Sequence, residues 1–212
     1  IAMLVVAVIS PVLGAIADFS GTKKRFLLIF TSMSVLFTGL LYFVEKGDVV
    51  SGMIFFILAE IGYRAGQVFY NSLLPEFTTS EDIGSVSGIG WAIGSFGGII
   101  CLLIILPLIM FVKGDFIVRL SFVITAAFFA LSSIPLFIFL REKKSHSKLP
   151  AGSSYFKMGL KRIWETFLAV KNFKEFIKFV VAFLVYNDGI IMALDFAAII
   201  GAVLFGMNQQ QL

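Results

Sequence analysis

Charged residues are scarce in this sequence. They make up 14% of its 212 positions, whereas a soluble domain carries about a quarter. The charges that are present fall in clusters separated by long uncharged runs. Hydrophobic residues reach 59%, and Phe alone occupies 25 positions. This composition excludes an ordinary soluble domain and indicates an all-α, polytopic helical membrane protein.

Cysteine and histidine are almost absent. The one cysteine, Cys101, lies in the apolar run CLLIILPLIM, so a disulfide framework is excluded. The one histidine, His146, lies in a polar stretch and is expected to be solvated. A multipass membrane enzyme would need a nucleophile and a base, or a metal cluster, and these two residues supply neither. The pattern G-x-x-x-x-G-K-[ST] is also absent, so the chain supplies no ATPase of its own. We therefore predict no enzyme, no catalytic residue, no cofactor and no metal site.

Long apolar runs dominate what is present. A helix needs about 20 mostly apolar residues to cross the hydrocarbon core. Six runs qualify: roughly 1–17, 26–44, 52–74, 85–112, 116–140 and 178–206. The first run has no charged leader and no cleavage pattern, so it is not a signal peptide. Because the chain begins inside an apolar run and stops just past another, we interpret it as an interior fragment of a longer protein.

The basic residues in the gaps between these runs predict the orientation. Three bases lie in the first gap, none in the third and ten in residues 141–178, whereas the second and fourth gaps hold one base each. Loops rich in Lys and Arg stay in the cytoplasm. We therefore expect the first, third and fifth gaps to be cytoplasmic.

The basic segment 141–178 divides into two parts. REKKSHSKLPAGSS is polar and is typical of a linker, whereas the part that follows has apolar residues at helical spacing with bases between them. That second part predicts an amphipathic helix lying on an anionic inner leaflet. A calmodulin-like target helix has the same pattern and remains an alternative. The net charge of +4 resides mostly in such loops, so we expect no nucleic-acid partner.

Four polar residues interrupt the third run. Glu60, Arg64, Gln67 and Asn71 follow one another at steps of four, three and four residues, which keeps them on one helical face. Ionisable groups inside a membrane span usually face a cavity or a partner. The stripe therefore predicts a lined cavity, and the alternative is an interhelical salt bridge that only aids packing.

The last run also carries polar residues. Asn187 and Asp188 lie well inside it, next to Gly189, and Asp195 follows on nearly the same face. A carboxyl group at that depth is a candidate proton-binding group. Polar sites on glycine-interrupted helices near the membrane midplane are a general transporter device. Pairing of Asp188 with Arg64 is an alternative that is compatible with this role.

The first gap, GAIADFSGTKKR, has a recognisable pattern. Its spacing is G-x-x-x-D-[RK]-x-G-x-[RK]-[RK], with Phe19 where a base is usual. The matching positions are Gly14, Asp18, Gly21, Lys23 and Lys24. Physically, the first glycine permits close helix approach, the second permits a turn with positive φ, and the aspartate can cap a helix or pair with a base.

This pattern resembles the loop between the second and third helices of the major facilitator superfamily, whose members are secondary transporters. The resemblance implies that the six runs are helices two to seven of a twelve-helix bundle. The large basic loop then joins two six-helix halves. It also implies that Asp18 with Lys23 or Lys24 gates the transporter and does not bind the substrate.

Three stretches resemble one branch of that superfamily, the vacuole effluxer family. They are FYNSLLPEF, which contains Tyr70 and Asn71, SGIGWAIGSFGG and YNDGI. RAGQ (64–67) also partly resembles the arginine motif of the superfamily's fourth helix, with Val68 in place of glycine. The resemblance implies solute transport by alternating access. The fungal relatives export amino acids, so amino acids are the solute class that the resemblance suggests.

Together these features predict an ion-coupled secondary transporter for a small solute, with protons as the expected coupling ion. We expect residues 1–140 to belong to the N-terminal half, 141–177 to form the central cytoplasmic loop and 178–212 to begin the C-terminal half. The expected location is the plasma membrane in a bacterium or the vacuolar membrane in a fungus. A receptor or scaffold that keeps the fold without transporting is the alternative.

Overall fold

A computed structural model describes residues 2–19, 21–112, 114–140, 142, 154–170 and 173–205. Several side chains within the described helices lie outside that description, including most of those beyond position 193. Every regular element in the described part is a helix, as the sequence predicts.

In the residues that the structure describes, seven α-helices follow one another. They are α1 (Ala2–Phe19), α2 (Lys23–Leu40), α3 (Val49–Phe77), α4 (Ile83–Phe111), α5 (Asp115–Phe139), α6 (Tyr155–Val170) and α7 (Lys174–Phe205). A 3₁₀ turn, Leu41–Phe43, extends α2. Each of the six predicted apolar runs is thus a helix. In the described part, four segments are long and apolar enough to cross a membrane: Lys23–Phe43, Val49–Phe77, Ile83–Phe111 and Asp115–Phe139.

The amphipathic segment differs from its prediction in one respect. The sequence predicted one helix running to residue 178, whereas α6 ends at Val170 and α7 already begins at Lys174. Residues 174–178 therefore belong to the first turns of α7. The linker 143–153 lies outside the described residues.

Two compact units divide the chain, residues 1–160 and 161–212. In the first unit α2 and α3 pack against each other, and α1 and α5 flank them. The core contains Leu27, Ala65 and Leu73 around Phe69, which is fully buried. The ring of Phe69 stacks on Phe26 with centroids 5.2 Å apart. Dispersion and apolar burial therefore hold this unit together from within.

Backbones approach closely where α2 crosses α3. A Cβ at Gly62 would lie 2.8 Å from the Ser34 amide nitrogen and 2.9 Å from the Phe30 carbonyl oxygen. Only glycine fits this crossing, because any side chain would clash with backbone that cannot rotate away.

The sequence predicted a close approach at Gly14, but among the described atoms none lies close to this position. A Cβ at Gly14, Gly94, Gly97 or Gly98 would meet no described heavy atom within 4 Å. Among the described glycines, a Cβ would come within 3.0 Å of neighbouring backbone at Gly62 and at Gly159, where it would lie 2.5 Å from the Pro11 carbonyl oxygen. At Gly90 it would lie 3.5 Å from the Tyr70 hydroxyl.

Candidate functional site

Helix α3 has two opposite faces. Its buried face points at the core and consists of small or apolar residues: Ala59, Gly62, Ala65, Gly66, Phe69 and Leu73. The predicted polar stripe lies about half a turn away. Glu60, Arg64 and Gln67 are partly buried, and Tyr70 and Asn71 are exposed. Because α1 and α2 cover the other face, the stripe is directed away from them.

Glu60 and Arg64 pair with each other. Arg64 Nε donates a hydrogen bond to Glu60 Oε1 on the same helix, one turn away. In the described part of the first unit, this ion pair therefore lies within one helix and does not join two helices. An i, i+4 pair lowers the cost of placing both charges in a membrane span without tying α3 to another helix.

A tyrosine that the sequence analysis missed extends this stripe. The Tyr63 hydroxyl accepts a hydrogen bond of 3.0 Å from Gln67 Nε2, and the Tyr63 ring meets Phe129 of α5 edge-on at 6.3 Å. Its position four residues before Gln67 was the available signal, but a tyrosine is less conspicuous than a charge in an apolar run.

Next to the stripe is a cavity of about 430 Å³ lined by residues from α2 to α5. Its polar lining consists of Ser34, Thr38, Glu60, Tyr63, Ser121 and Thr125. The hydroxyls of the last two donate to backbone carbonyls of α5, at 2.6 and 2.9 Å. Glu60 and Tyr63 are thus the polar groups of α3 that line it. Gln67, Tyr70 and Asn71 do not line this cavity. An apolar pocket of this size with a few polar groups is typical of small-molecule sites.

The predicted residues of α7 lie on the second unit, which is described by itself. Asn187 is partly buried and Asp188 is exposed. Asp188 lies roughly 21 Å along the helix from its first residue. The helix continues without interruption through Gly189, which the sequence had placed as a weak point. Asp195 is on α7, but its side chain lies outside the described ones.

The loop between α1 and α2 has the predicted backbone conformation. Gly21 has φ 60°, the left-handed region that favours glycine. Asp18 lies in the last turn of α1, partly buried. Lys23 and Lys24 open α2, so both bases of the motif are the first residues of a membrane-spanning helix.

Lys23 joins three elements. Its Nζ lies 2.5 Å from Glu76 Oε1 and 3.0 Å from the Ser72 carbonyl oxygen, both near the end of α3. Its backbone N–H donates to the carboxylate of Glu142, beyond α5. The Thr22 side chain makes no capping bond, so this distant carboxylate satisfies one of the free N–H groups of the α2 terminus.

Lys24 adds a contact to α5. Its Nζ donates to the Leu140 carbonyl oxygen at 2.7 Å. The start of α2 and the ends of α3 and α5 therefore meet at one end of the first unit. The charge count likewise placed the first, third and fifth gaps on one side of the membrane. At the other end, Arg119 of α5 lies 3.5 Å from Glu45, between α2 and α3. This brings the second and fourth gaps together.

The sequence analysis missed the carboxylates of this network, Glu76 and Glu142. The signal for the first was within reach, since an acidic residue at the end of α3 faces a gap with no bases of its own. Three bases in the first gap need a counter-charge, and this carboxylate provides one.

Comparisons with known proteins agree with this architecture. The sequence profile of the family described as "Vacuole effluxer Atg22 like" matches residues 1–212. The "Uncharacterized MFS-type transporter YxiO" of Bacillus subtilis (strain 168) is 28% identical over 197 residues, which is 90% of this chain and 45% of that protein. An "Uncharacterized protein" of Aquifex aeolicus (strain VF5) is 35% identical over 94 residues, or 43% of this chain and 23% of that protein.

The chain thus spans about half the length of the Bacillus relative, aligning with 45% of it. No solved structure matches the chain. The profile match extends over all its residues, and the described helices include four able to span a membrane. The chain belongs to the vacuole effluxer Atg22-like family, a group of membrane transporters of the major facilitator type.

Proposed function

We propose that this protein is a secondary active transporter that moves a small solute across a membrane by alternating access. The observation that supports it most is the polar stripe of α3. It lies on the face turned away from the buried core, and Glu60 and Tyr63 open from it into a cavity of about 430 Å³. A helix held on one side and polar on the other is what a solute pathway requires.

The pathway residues have distinct proposed roles. Glu60 and Arg64 form an ion pair with no net charge. A solute can exchange partners with it, because a carboxylate on the solute can bind Arg64 in place of Glu60, and an ammonium group can bind Glu60 in place of Arg64. Gln67, Tyr70 and Asn71 continue the stripe with uncharged donors and acceptors. Amino acids suit such lining, since they carry one charge of each sign, and the family description names an effluxer.

Asn187 and Asp188 of α7 are proposed as further residues of the solute and ion pathway, with Asp195 farther along the same helix. Carboxyl groups within membrane spans are rare and mark ion and proton pathways in transporters. Asp188 is therefore the proposed coupling group. Asp18, Gly21, Lys23 and Lys24, with Gly14 at the start of the motif, are proposed as the gating loop.

The chain is proposed to be multi-pass, with residues 141–177 as the cytoplasmic loop between two halves. The large apolar residues of α6 support its contact with lipid, because Phe156, Leu160, Ile163 and Trp164 are exposed by 49 to 63%. Bases lie between them, as expected for a helix on an anionic leaflet.

Transport should be tested with the complete gene product in proteoliposomes, using a pool of labelled amino acids and an imposed pH gradient. We expect saturable uptake driven by the gradient. Asp188→Asn should abolish gradient-driven uptake while solute exchange at equal concentrations persists, because exchange needs no net proton movement. Glu175→Gln is the matched control, since this carboxylate is on the same helix and its side chain is 86% exposed.

Two outcomes would contradict parts of this proposal. Gradient-driven uptake that is unchanged in Asp188→Asn would remove Asp188 as the coupling group. Saturable binding without flux, for every solute class offered, would contradict transport and favour a receptor or scaffold.

A further inference from the structure

A second and larger cavity lies at the opposite end of the first unit from Lys23. It shares the apolar residues Leu41, Phe56 and Phe122 with the smaller cavity but contains none of the polar residues of the α3 stripe. It measures about 990 Å³ and lies between the end of α2, the start of α3 and the start of α5. We call it the outer pocket. Its lining combines an apolar floor, which includes Leu41, Met53, Phe56 and Phe122, with charged residues at the ends of these helices.

Charges of both signs line the outer pocket in equal number. Glu45 and Asp115 are acidic, and Lys46 and Arg119 are basic. A purely anionic ligand would leave two carboxylates without counter-charges, and a purely cationic one would leave two bases. A ligand with one charge of each sign matches this lining best.

Arg119 has donor capacity that the protein does not use. One terminal nitrogen reaches Glu45 at 3.5 Å, the outer limit of a hydrogen bond. The guanidinium lies 5.8 Å from the centre of the Tyr42 ring, which holds it in place. Its Nε is buried and has no hydrogen-bond partner in the part of the chain that the structure describes. The side chain is 32% exposed, so its terminal nitrogens remain open to an incoming oxygen.

The height of the pocket in the membrane indicates what reaches it. The 25 residues of α5 extend roughly 37 Å, longer than a hydrocarbon core of about 30 Å. Arg119, one turn into α5, therefore lies near the level of lipid headgroups. Around the pocket Val49, Val50 and Phe116 are 65%, 70% and 55% exposed. Such an apolar surface on a membrane protein faces lipid, so a lipid is the molecule that has direct access.

We propose that the outer pocket binds the headgroup of a zwitterionic phospholipid with a primary amine, such as phosphatidylethanolamine. Its phosphate would accept hydrogen bonds from Arg119 and Lys46. Its ammonium group would donate to Glu45 and Asp115, and the first methylenes of its acyl chains would lie on the apolar floor. A choline headgroup has the same charges but no N–H, so it cannot make the second set of bonds.

Native mass spectrometry of the complete gene product tests this site. The protein in detergent micelles is titrated separately with phosphatidylethanolamine, phosphatidylcholine and phosphatidylglycerol of identical acyl chains. We expect phosphatidylethanolamine adducts to be retained about tenfold more tightly than the other two, which is the size of effect that charge-assisted hydrogen bonds produce. Equal retention of the three lipids, or tighter retention of phosphatidylglycerol, would overturn the proposal.

Two variants with matched controls locate the site. Arg119→Gln should reduce retention of phosphatidylethanolamine about tenfold. Glu45→Gln should remove the preference over phosphatidylcholine, and it cannot act through misfolding because this side chain is 79% exposed. Arg25→Gln and Glu81→Gln make the same changes at exposed positions near the opposite end and should alter neither. Unchanged retention in both pocket variants would contradict the site.

A free solute could offer the same pair of charges as the lipid. Labelled amino acids are therefore added as competitors at the highest concentration used for transport. We expect no displacement of the lipid adduct. Displacement by an amino acid would show that the outer pocket is a solute site and would overturn the lipid assignment.

Discussion

The two ends of the first unit are fastened in different ways. At the Lys23 end, a lysine and a glutamate with side chains only 12% and 15% exposed meet between α2 and α3, and further bonds reach the end of α5. At the Arg119 end, one ion pair at 3.5 Å joins the same three helices through a glutamate that is 79% exposed.

This contrast separates two ways of holding helices together. Partly buried, hydrogen-bonded charges resist separation strongly, because breaking the pair leaves a charge without a partner away from water. An exposed pair competes with water and contributes little. Ion pairs and hydrogen bonds therefore stabilise the helix contacts at the Lys23 end. At the Arg119 end apolar packing contributes most of the stability, and the helices leave space for the outer pocket.

The largest expected effect comes from breaking the fastened end. Lys23→Gln should lower the free energy of unfolding by about 3 kcal/mol, because it removes the cation from a partly buried, hydrogen-bonded ion pair with Glu76. Unfolding can be titrated with SDS in mixed micelles. The exchange Lys23→Glu with Glu76→Lys should restore part of the loss. A single variant that costs no more than a change at Glu45 would remove the contrast between the two ends.

A smaller effect is expected between the ends, where α2 crosses α3. Gly62→Ala should cost about 1–3 kcal/mol, since the new methyl group would overlap the backbone of α2 near Ser34. The same titration measures it. Gly94→Ala on α4 is the control, because its Cβ would meet no described atom within 4 Å. If both variants had the same stability, the close crossing would not exist in the membrane.

A smaller effect again is expected at the turn before α2, which leads to the Lys23 end. Gly21→Ala should cost about 1–2 kcal/mol, because an L-residue is strained at φ 60°. Gly84→Ala, in the first turn of α4 with open space around it, should instead be neutral or slightly stabilising. Thermal unfolding in detergent compares the pair. A more stable Gly21→Ala variant would mean that the turn adopts another conformation.

The smallest effect is expected at the Arg119 end. Glu45→Gln should change the free energy of unfolding by less than about 1 kcal/mol, since an exposed ion pair at this distance contributes little. SDS titration of lipid-free protein measures it. A loss equal to that of Lys23→Gln would show that both ends are fastened alike.

Sequence reasoning captured the features that depend on local pattern. The apolar runs predicted six helices, since length and hydropathy are properties of a single segment. The 4-3-4 spacing from Glu60 to Asn71 placed these residues on one face of α3, because helical periodicity fixes it. The positive φ of Gly21 also followed from a local motif.

Features that depend on distant partners were not predictable in the same way. The bond between Lys23 and Glu76 joins positions 53 apart in sequence. A chain with no alignment gives no signal that pairs them. Likewise, the sequence predicted a close approach at Gly14 of α1, whereas packing brings neighbouring backbone up to Gly62 of α3.

The crossing at Gly62 has a mechanical consequence. Two backbones in contact, with Phe69 stacked across the same interface, leave α2 and α3 no room to slide or rotate against each other. The two helices would therefore travel as one rigid body in any cycle the protein performs. Spin labels at the exposed positions Leu36 and Ile54 should keep a constant separation throughout, and so provide an internal ruler against which other displacements are measured.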